Sequence, residues 1–187
     1  MKKTVLIIIM LLSVKSVQSQ NASVENSVSG IQVGLLGLWY HNEIKLTNLI
    51  ALRAEIGLDA GLYGSSINDI DGFLLAPVLR LEPRWYYNLN KRERKSKRID
   101  GNTGNFFSLN ISYHPDIFTI SEEDNINLIS DISFIPTWGI RRSIGEHFNF
   151  ETGIGIGYIR YLENPSFFDN DRNDVGVNLH LRIGYRF

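Results

Sequence analysis

Apolar and polar residues alternate along most of this chain. At its end, Val177, Leu179, Leu181, Ile183, Tyr185 and Phe187 are apolar, while Asn178, His180, Arg182, Gly184 and Arg186 stand between them. The same period of two recurs upstream. Ile31, Val33, Leu35 and Trp39 share one phase, as do Ile50, Leu52, Ala54, Ile56 and Leu58. Leu75, Pro77, Leu79, Leu81, Pro83, Trp85 and Tyr87 continue it, followed by Phe107, Leu109, Ile111 and Tyr113. Two more runs are Ile132, Phe134, Pro136, Trp138 and Ile140, then Phe148, Phe150, Ile154, Ile156 and Tyr158. Successive side chains of a strand point to opposite faces, so each run predicts a strand with one apolar and one largely polar face. Pro77, Pro83 and Pro136 fall inside these runs, each removing a ladder donor, and local bulges are the expected accommodation.

A soluble sandwich or small barrel turns such apolar faces inward, whereas a membrane barrel turns them outward and fills its lumen with polar groups. Three features favour the second. Most runs approach the roughly 9–11 residues that a tilted spanning strand needs. Arg53, Glu55, Arg80, Glu82 and Arg84 occupy polar positions of two neighbouring runs, a charge density that suits a lumen. Aromatic residues collect near run ends, at Trp39, Trp85 to Tyr87, Tyr113, Trp138, Tyr158 and Phe187, and Trp and Tyr favour headgroup depth.

The beginning of the chain supplies a compartment. "MKKTVLIIIMLLSVKSVQS" has a basic start, a short apolar run and small residues before Gln20, the pattern of a cleaved signal peptide over residues 1–19. Its apolar run, Val5 to Leu12, would span only about 12 Å as a helix, against a bilayer core of about 30 Å. Loss of Lys2, Lys3 and Lys15 with the leader takes the formal net charge from −1 to −4. There is no cysteine, so neither a disulfide framework nor a lipid thioether is available. Residues 20–187 then form one domain without a transmembrane helix, and only a closed barrel could satisfy its backbone in lipid.

Taken together, the leader, the alternation and the closing "NLHLRIGYRF" resemble the small eight-stranded OmpA/OmpX-like barrels of Gram-negative outer membranes. The stretches "LEPRWYYNLNKR" and "IPTWGIRRSIG" look like those of uncharacterised barrels of that type. The resemblance implies an all-β, antiparallel up-and-down transmembrane barrel in the outer membrane, in contact with its lipid and lipopolysaccharide. It also implies that Tyr185 and Phe187 serve as an assembly signal for the outer-membrane barrel machinery. It transfers no activity, cofactor or catalytic residue.

Seven runs are clear, while single-chain bacterial barrels have even strand numbers. The eighth strand is expected in "DIFTIS", Asp116 to Ser121, after a turn at His114–Pro115. With both termini in the periplasm, "SIGEH" becomes a periplasmic turn. "HNE", "NLNKRERKSKRIDGNT" and "LENPSFFDNDRND" become outer loops, and "AGLYGSSINDID" a periplasmic one.

The lumen of an eight-stranded barrel is narrow enough for side chains to fill. Its expected network is Arg53, Glu55, Arg80, Glu82, Arg84, Asp131, Arg141, Glu151 and Arg182, with Asp59 and Arg186 as further inward candidates. Near balance of charge implies a salt-bridged plug with a structural or surface-interaction role. Guanidinium suits such bidentate pairing better than ammonium, and all the inward cations are arginines. An acyl hydrolase acting on lipid A or phospholipid is the alternative, with Ser112, His114 and His180 as its candidates; a small-solute channel is a third reading. A nucleophile needs its base within hydrogen-bond reach, and none of the local motifs of such hydrolases is present. Four scattered histidines give no metal-ligand spacing, and no cofactor is implied. "GIGIG" (Gly153 to Gly157) lacks the lysine and helix of a nucleotide loop, and its glycines fall in the inward phase, making room for arginines. Lys91, Arg92, Arg94, Lys95, Lys97 and Arg98 form a basic loop suited to an anionic surface such as lipopolysaccharide phosphate. Export argues against nucleic acid as its partner.

Overall fold

The computed structural model describes residues 22–63, 72–121, 128–163 and 172–187; the expected leader lies outside them. Its strands are β1 (Ser27–Gly34), β2 (Gly37–Lys45), β3 (Ile50–Tyr63), β4 (Gly72–Trp85), β5 (Asn105–His114), β6 (Ile120–Ser121), β7 (Asp131–Ile144), β8 (Phe148–Tyr161) and β9 (Asn173–Arg186). A short helix, α1 (Leu89–Arg94), and a single 3-10 turn (Asp100–Asn102) lie between β4 and β5. Every long strand pairs antiparallel with the next, and β1 pairs with β9. The result is a closed antiparallel barrel of eight strands, with β6 as a small extension: its two residues pair only with Leu74 and Leu75 of β4.

The eighth strand is not where the sequence reading put it. "DIFTIS" contributes just Ile120 and Ser121, whereas the run beginning at Ile31 divides into the hairpin β1–β2. The fold reverses at Leu35–Leu36, between the paired glycines Gly34 and Gly37. Gly37 takes φ +141°, and a Cβ there would run into the carbonyl of Leu58. The reversal shifts the phase by one residue: Ile31 is 43% exposed on the outside, while Trp39 is 2% exposed inside. Trp39 therefore does not share a face with Ile31 and Val33.

This extra reversal moves the connections from the finish of β2 to the finish of β5 to the opposite ends from those expected, while the β7–β8 turn and the finish of β8 stand at the ends expected of them. At the near end lie the start of β1, the β2–β3 turn, the α1 loop, the β7–β8 turn and the finish of β9. At the far end lie the Leu35–Leu36 turn, the finish of β3 and start of β4, the finish of β5, and the finish of β8. "HNE" lies within β2 and is no loop, while the basic loop shares the end that carries the start of β1.

The prolines need no bulge. On both sides of Pro83 the β4–β5 register is the same, with only the pairs at Glu82 and Pro83 missing from the ladder. Pro136 likewise interrupts the β7–β8 ladder without shifting it. Pro77 stands where the free edge of β4 passes from β5 to β6, so no partner asks for its missing N–H.

The barrel wall is inverted relative to a soluble protein. Leu179 is 64% exposed on the outside and Glu151 0% exposed inside. Aliphatic residues such as Leu81, Ile154, Ile156, Val177, Leu179 and Leu181 form the middle of the outer wall. Trp85, Tyr87, Phe107, Phe148 and Tyr185 ring it at the near end, and Tyr113, Phe134 and Tyr158 at the far end.

Candidate functional site

The inward phase of seven strands converges on one connected charged layer. Glu55 accepts from Arg53, from Arg80 Nη1 at 2.7 Å and from Arg182 Nη1 at 2.9 Å. Glu151 accepts from Arg84 Nη1 and Nη2 at 2.9 and 2.8 Å, and from Arg141 Nε at 2.8 Å. Arg141 Nη1 also donates to Glu43 at 2.9 Å, and Arg84 Nη2 to Glu82 at 2.7 Å. Arg53 lies 3.9 Å from both Glu43 and Glu151, which links the two halves. Bonds between ionised partners are short and about twice as strong as neutral ones, and here two carboxylates each serve several guanidiniums.

All nine residues expected in the lumen belong to this set, though Asp131 enters indirectly. Its carboxylate faces His114 Nδ1 at 3.1 Å; His114 Nε2 faces Asp59 at 3.1 Å, and Asp59 accepts from Arg80 at 2.8 Å. Arg186 stays out of the layer and pairs at the near end with Glu25 and Asp100, at 3.1 and 3.2 Å. Glu43 was missed because "HNE" read as a loop; on β2 it faces inward beside His41, and both are buried. Gln32 was passed over as an uncharged residue, yet it accepts from Arg53 Nη2 at 2.6 Å and donates to Asn149 at 3.1 Å.

Aromatic rings close the layer from both sides. Arg182 lies 3.9 Å over the Trp39 ring and Arg84 4.3 Å over Phe106, distances at which a cation is attracted to the ring face. Small residues admit these rings: a Cβ on Gly57 would strike Trp39, and one on Gly139 would strike Phe106. The "GIGIG" glycines do not accommodate arginines. Gly153 gives room to His180, Gly155 to Thr137, and Gly157 to the backbone of Phe134 and Ile135.

Below the charged layer, Ala22, Val24, Ala51, Tyr86, Leu89 and Phe106 pack into an apolar floor at the near end. Tyr86 donates to Glu43 at 2.8 Å, as does Asn102 at 2.7 Å, so the floor is tied to the layer. Hydrogen bonds from Arg98 hold the Asp100 carboxyl below the usual carboxylate range. Its pairing with Arg98 and Arg186 is therefore intact at neutral pH and lost only as pH falls through that lowered value.

Above the layer, a far-end cavity of about 200 Å³ is lined by Asp59, Arg80, Ser112, His114, Asp131 and His180, among others. Ser112, His114 and His180 thus meet at one cavity, but not as a catalytic set. The Ser112 hydroxyl accepts from Arg80 Nε at 2.8 Å and donates to Asn110 at 2.6 Å. Both ring nitrogens of His114 face carboxylates, and His180 Nδ1 faces Asn178 at 3.2 Å. Among the described residues no hydrogen bond joins Ser112 to a histidine, the contact a serine nucleophile needs with its base.

The basic loop lies outside the lumen. Lys91, Arg92 and Arg94 sit on α1, followed by Lys95, Lys97 and Arg98. Arg98 pairs with Asp100 at 2.7 Å, and Arg92 donates to the Arg98 carbonyl at 2.9 Å. Tyr185 and Phe187 face outward at the near end, with ring centroids 5.8 Å apart, and Phe148 lies 5.3 Å from Tyr185. No protein-family model, curated protein or solved structure matches the chain.

Proposed function

We propose that this chain is an outer-membrane β-barrel protein whose lumen is sealed by salt bridges, with a structural or surface-interaction role. The inverted wall carries the reading: an aliphatic band flanked by aromatic rings outside, and arginine and glutamate inside. In water, that band would be an exposed apolar patch far beyond the few hundred Å² usual for a soluble monomer. In lipid, the same band is the favourable surface. Strands of 14 residues support this. At about 3.3 Å per residue and a tilt of about 40°, they rise roughly 35 Å, enough for the apolar band and both rings. A leader that exports the chain and a near end facing the periplasm complete the proposal.

Sealing follows from the order of layers along the axis. An ion entering the far-end cavity meets Arg80, Arg182 and the paired carboxylates, then the apolar floor under Arg84 and Phe106. Purified barrel in planar bilayers should give no steady single-channel conductance. Reproducible conductance steps that persist for seconds would contradict the seal and favour a channel.

Assembly is proposed to read the outward aromatic face of β9. Removing Phe187 takes away an exposed ring and one backbone bond to Ser29, at 3.1 Å. Partial burial of such a ring is worth less than the about 1.5–3 kcal/mol of full burial. The deletion variant should refold in detergent with a normal heat-dependent band shift, yet reach the outer membrane poorly in cells. Phe148→Ala, on the same outer wall, should reach it normally. Equal membrane levels for both variants would remove the assembly role of Phe187.

A further inference from the structure

A second cavity, of about 580 Å³, lies at the near end outside the barrel and is lined by Lys91, Arg92, Lys95, Lys97, Arg142 and Tyr87, among others. No carboxylate is among its lining residues. The contrast with the lumen is sharp, since each guanidinium of the charged layer has a carboxylate partner. Arg142 donates instead to the carbonyls of Gly104 and Arg141, at 2.9 and 2.7 Å, and to the Asn105 amide oxygen at 2.6 Å. Arg92 donates to the carbonyl of Arg98. These neutral acceptors fix both guanidiniums in place while leaving their charge uncompensated. Arg98, the loop cation that does have a carboxylate partner, is not part of the lining.

The cavity also borders the near-end aromatic ring. Tyr87 lines it, and its hydroxyl accepts from Trp138 Nε1 at 3.0 Å. Its ring stands 6.0 Å from Trp85 and 5.3 Å from Phe107 by centroid. Tyr and Trp mark headgroup depth, so clustered cations here are placed where a lipid phosphate would be.

We infer that this cavity binds the headgroup of an anionic phospholipid, phosphatidylglycerol in type, in the leaflet at the near end. The phosphate lies among Lys91, Lys95, Lys97 and Arg142, the glycerol lies beside the Tyr87 hydroxyl, and the acyl chains run over Trp85 and Phe107. The inference rests on the membrane reading and changes its partner. The near end carries the start of β1 and the finish of β9, so under that reading the loop faces the periplasmic leaflet, not the lipopolysaccharide outside. Clustered cations at a membrane surface attract anionic lipid strongly, and neutralising three of them should reduce a preference by about fivefold or more.

The test uses the full barrel, refolded into phosphatidylcholine vesicles carrying a small fraction of brominated phosphatidylglycerol or brominated phosphatidylcholine. Quenching of Trp85 and Trp138 fluorescence reports lipid beside the cavity. Half-maximal quenching is expected at an about tenfold lower mole fraction of the anionic lipid. In a K91Q/K95Q/K97Q variant the difference should fall to within about twofold, and R142Q should weaken it separately. The three lysines are exposed, so the variant's heat-dependent band shift should match the parent. Equal quenching by both lipids in a folded parent, or an unchanged preference in both folded variants, overturns the lipid site and leaves the barrel reading standing. Loss of the preference on adding millimolar inorganic phosphate, with salt matched, would reassign the cavity to a soluble anion. A chain that never inserts into either vesicle contradicts the membrane reading, and the lipid site falls with it.

Discussion

Glu151→Ala should destabilise the folded barrel more than any other single carboxylate change in the lumen except Glu55→Ala. Glu151 accepts from both terminal nitrogens of Arg84 and from Arg141, and Arg53 lies 3.9 Å away. Its removal leaves three guanidiniums close together with too little negative charge to hold them. Breaking one buried pair by deleting a partner costs about 3–5 kcal/mol, because the remaining charge is stranded. A shared carboxylate should reach or exceed the upper value. Glu82 is different: it accepts only from Arg84, through one oxygen, and Arg84 keeps Glu151 when Glu82 is lost. Glu82→Ala should therefore cost markedly less. Glu93→Ala, on the half-exposed helix α1 outside the lumen, should stay within about 0.5 kcal/mol, as most surface substitutions do. Urea unfolding of the barrel in vesicles measures all three. Adding Arg84→Met together with Glu82→Gln to Glu151→Ala should recover part of the loss, since the guanidinium that Glu151 held through two bonds is then gone and the Glu82 carboxylate is not stranded in its place. Three equal small effects would mean that water reaches the layer and screens it.

The period of two makes the wall and its polar face legible in the sequence. The phase of Arg53, Glu55, Arg80, Glu82 and Arg84 was readable because long strands with a charged inner face leave little ambiguity. The first hairpin was not readable. Two-residue turns are usually recognised by Asn, Asp or Gly at their centre, whereas this one turns on Leu35 and Leu36 and places its glycines on either side. Its outward leucines continue the apolar phase into the turn, so the run looked like one strand. That single reversal explains the misplaced eighth strand, the misassigned end of the basic loop and the missed Glu43. An even strand number asks for an eighth strand, and "DIFTIS" offers the remaining short apolar stretch for it.

Within the site, the kinds of residue were visible but not their pairings. Nothing in the spacing says that Asp131 meets His114 and not an arginine, because the two lie across the β5–β7 ladder. The "GIGIG" stretch announced small inward residues, but its neighbours are His180, Thr137 and Ile135, which come from strands on either side. Ser112, His114 and His180 do reach one cavity. The serine is hydrogen-bonded to Arg80, its partner across the β4–β5 ladder, and to Asn110 two residues along β5, instead of to a histidine.

The central claim is that lipid covers the outer wall, and an arginine series along β9 tests it most directly. Val175, Leu179 and Tyr185 share the outward phase of this strand and are all exposed. Tyr158 lies opposite Val175 in the ladder, and Tyr185 marks the other aromatic ring, so Leu179 stands near the middle of the band. Arginine at the midplane of a membrane barrel costs about 2–4 kcal/mol, and near the interfaces about 0–1 kcal/mol. The loss of unfolding free energy in Val175→Arg, Leu179→Arg and Tyr185→Arg, measured in phospholipid vesicles, should be largest for Leu179→Arg, exceeding the other two by about 1–4 kcal/mol. A flat series with every variant within about 0.5 kcal/mol of the parent, the usual range for solvent-facing positions, would contradict a lipid-covered wall.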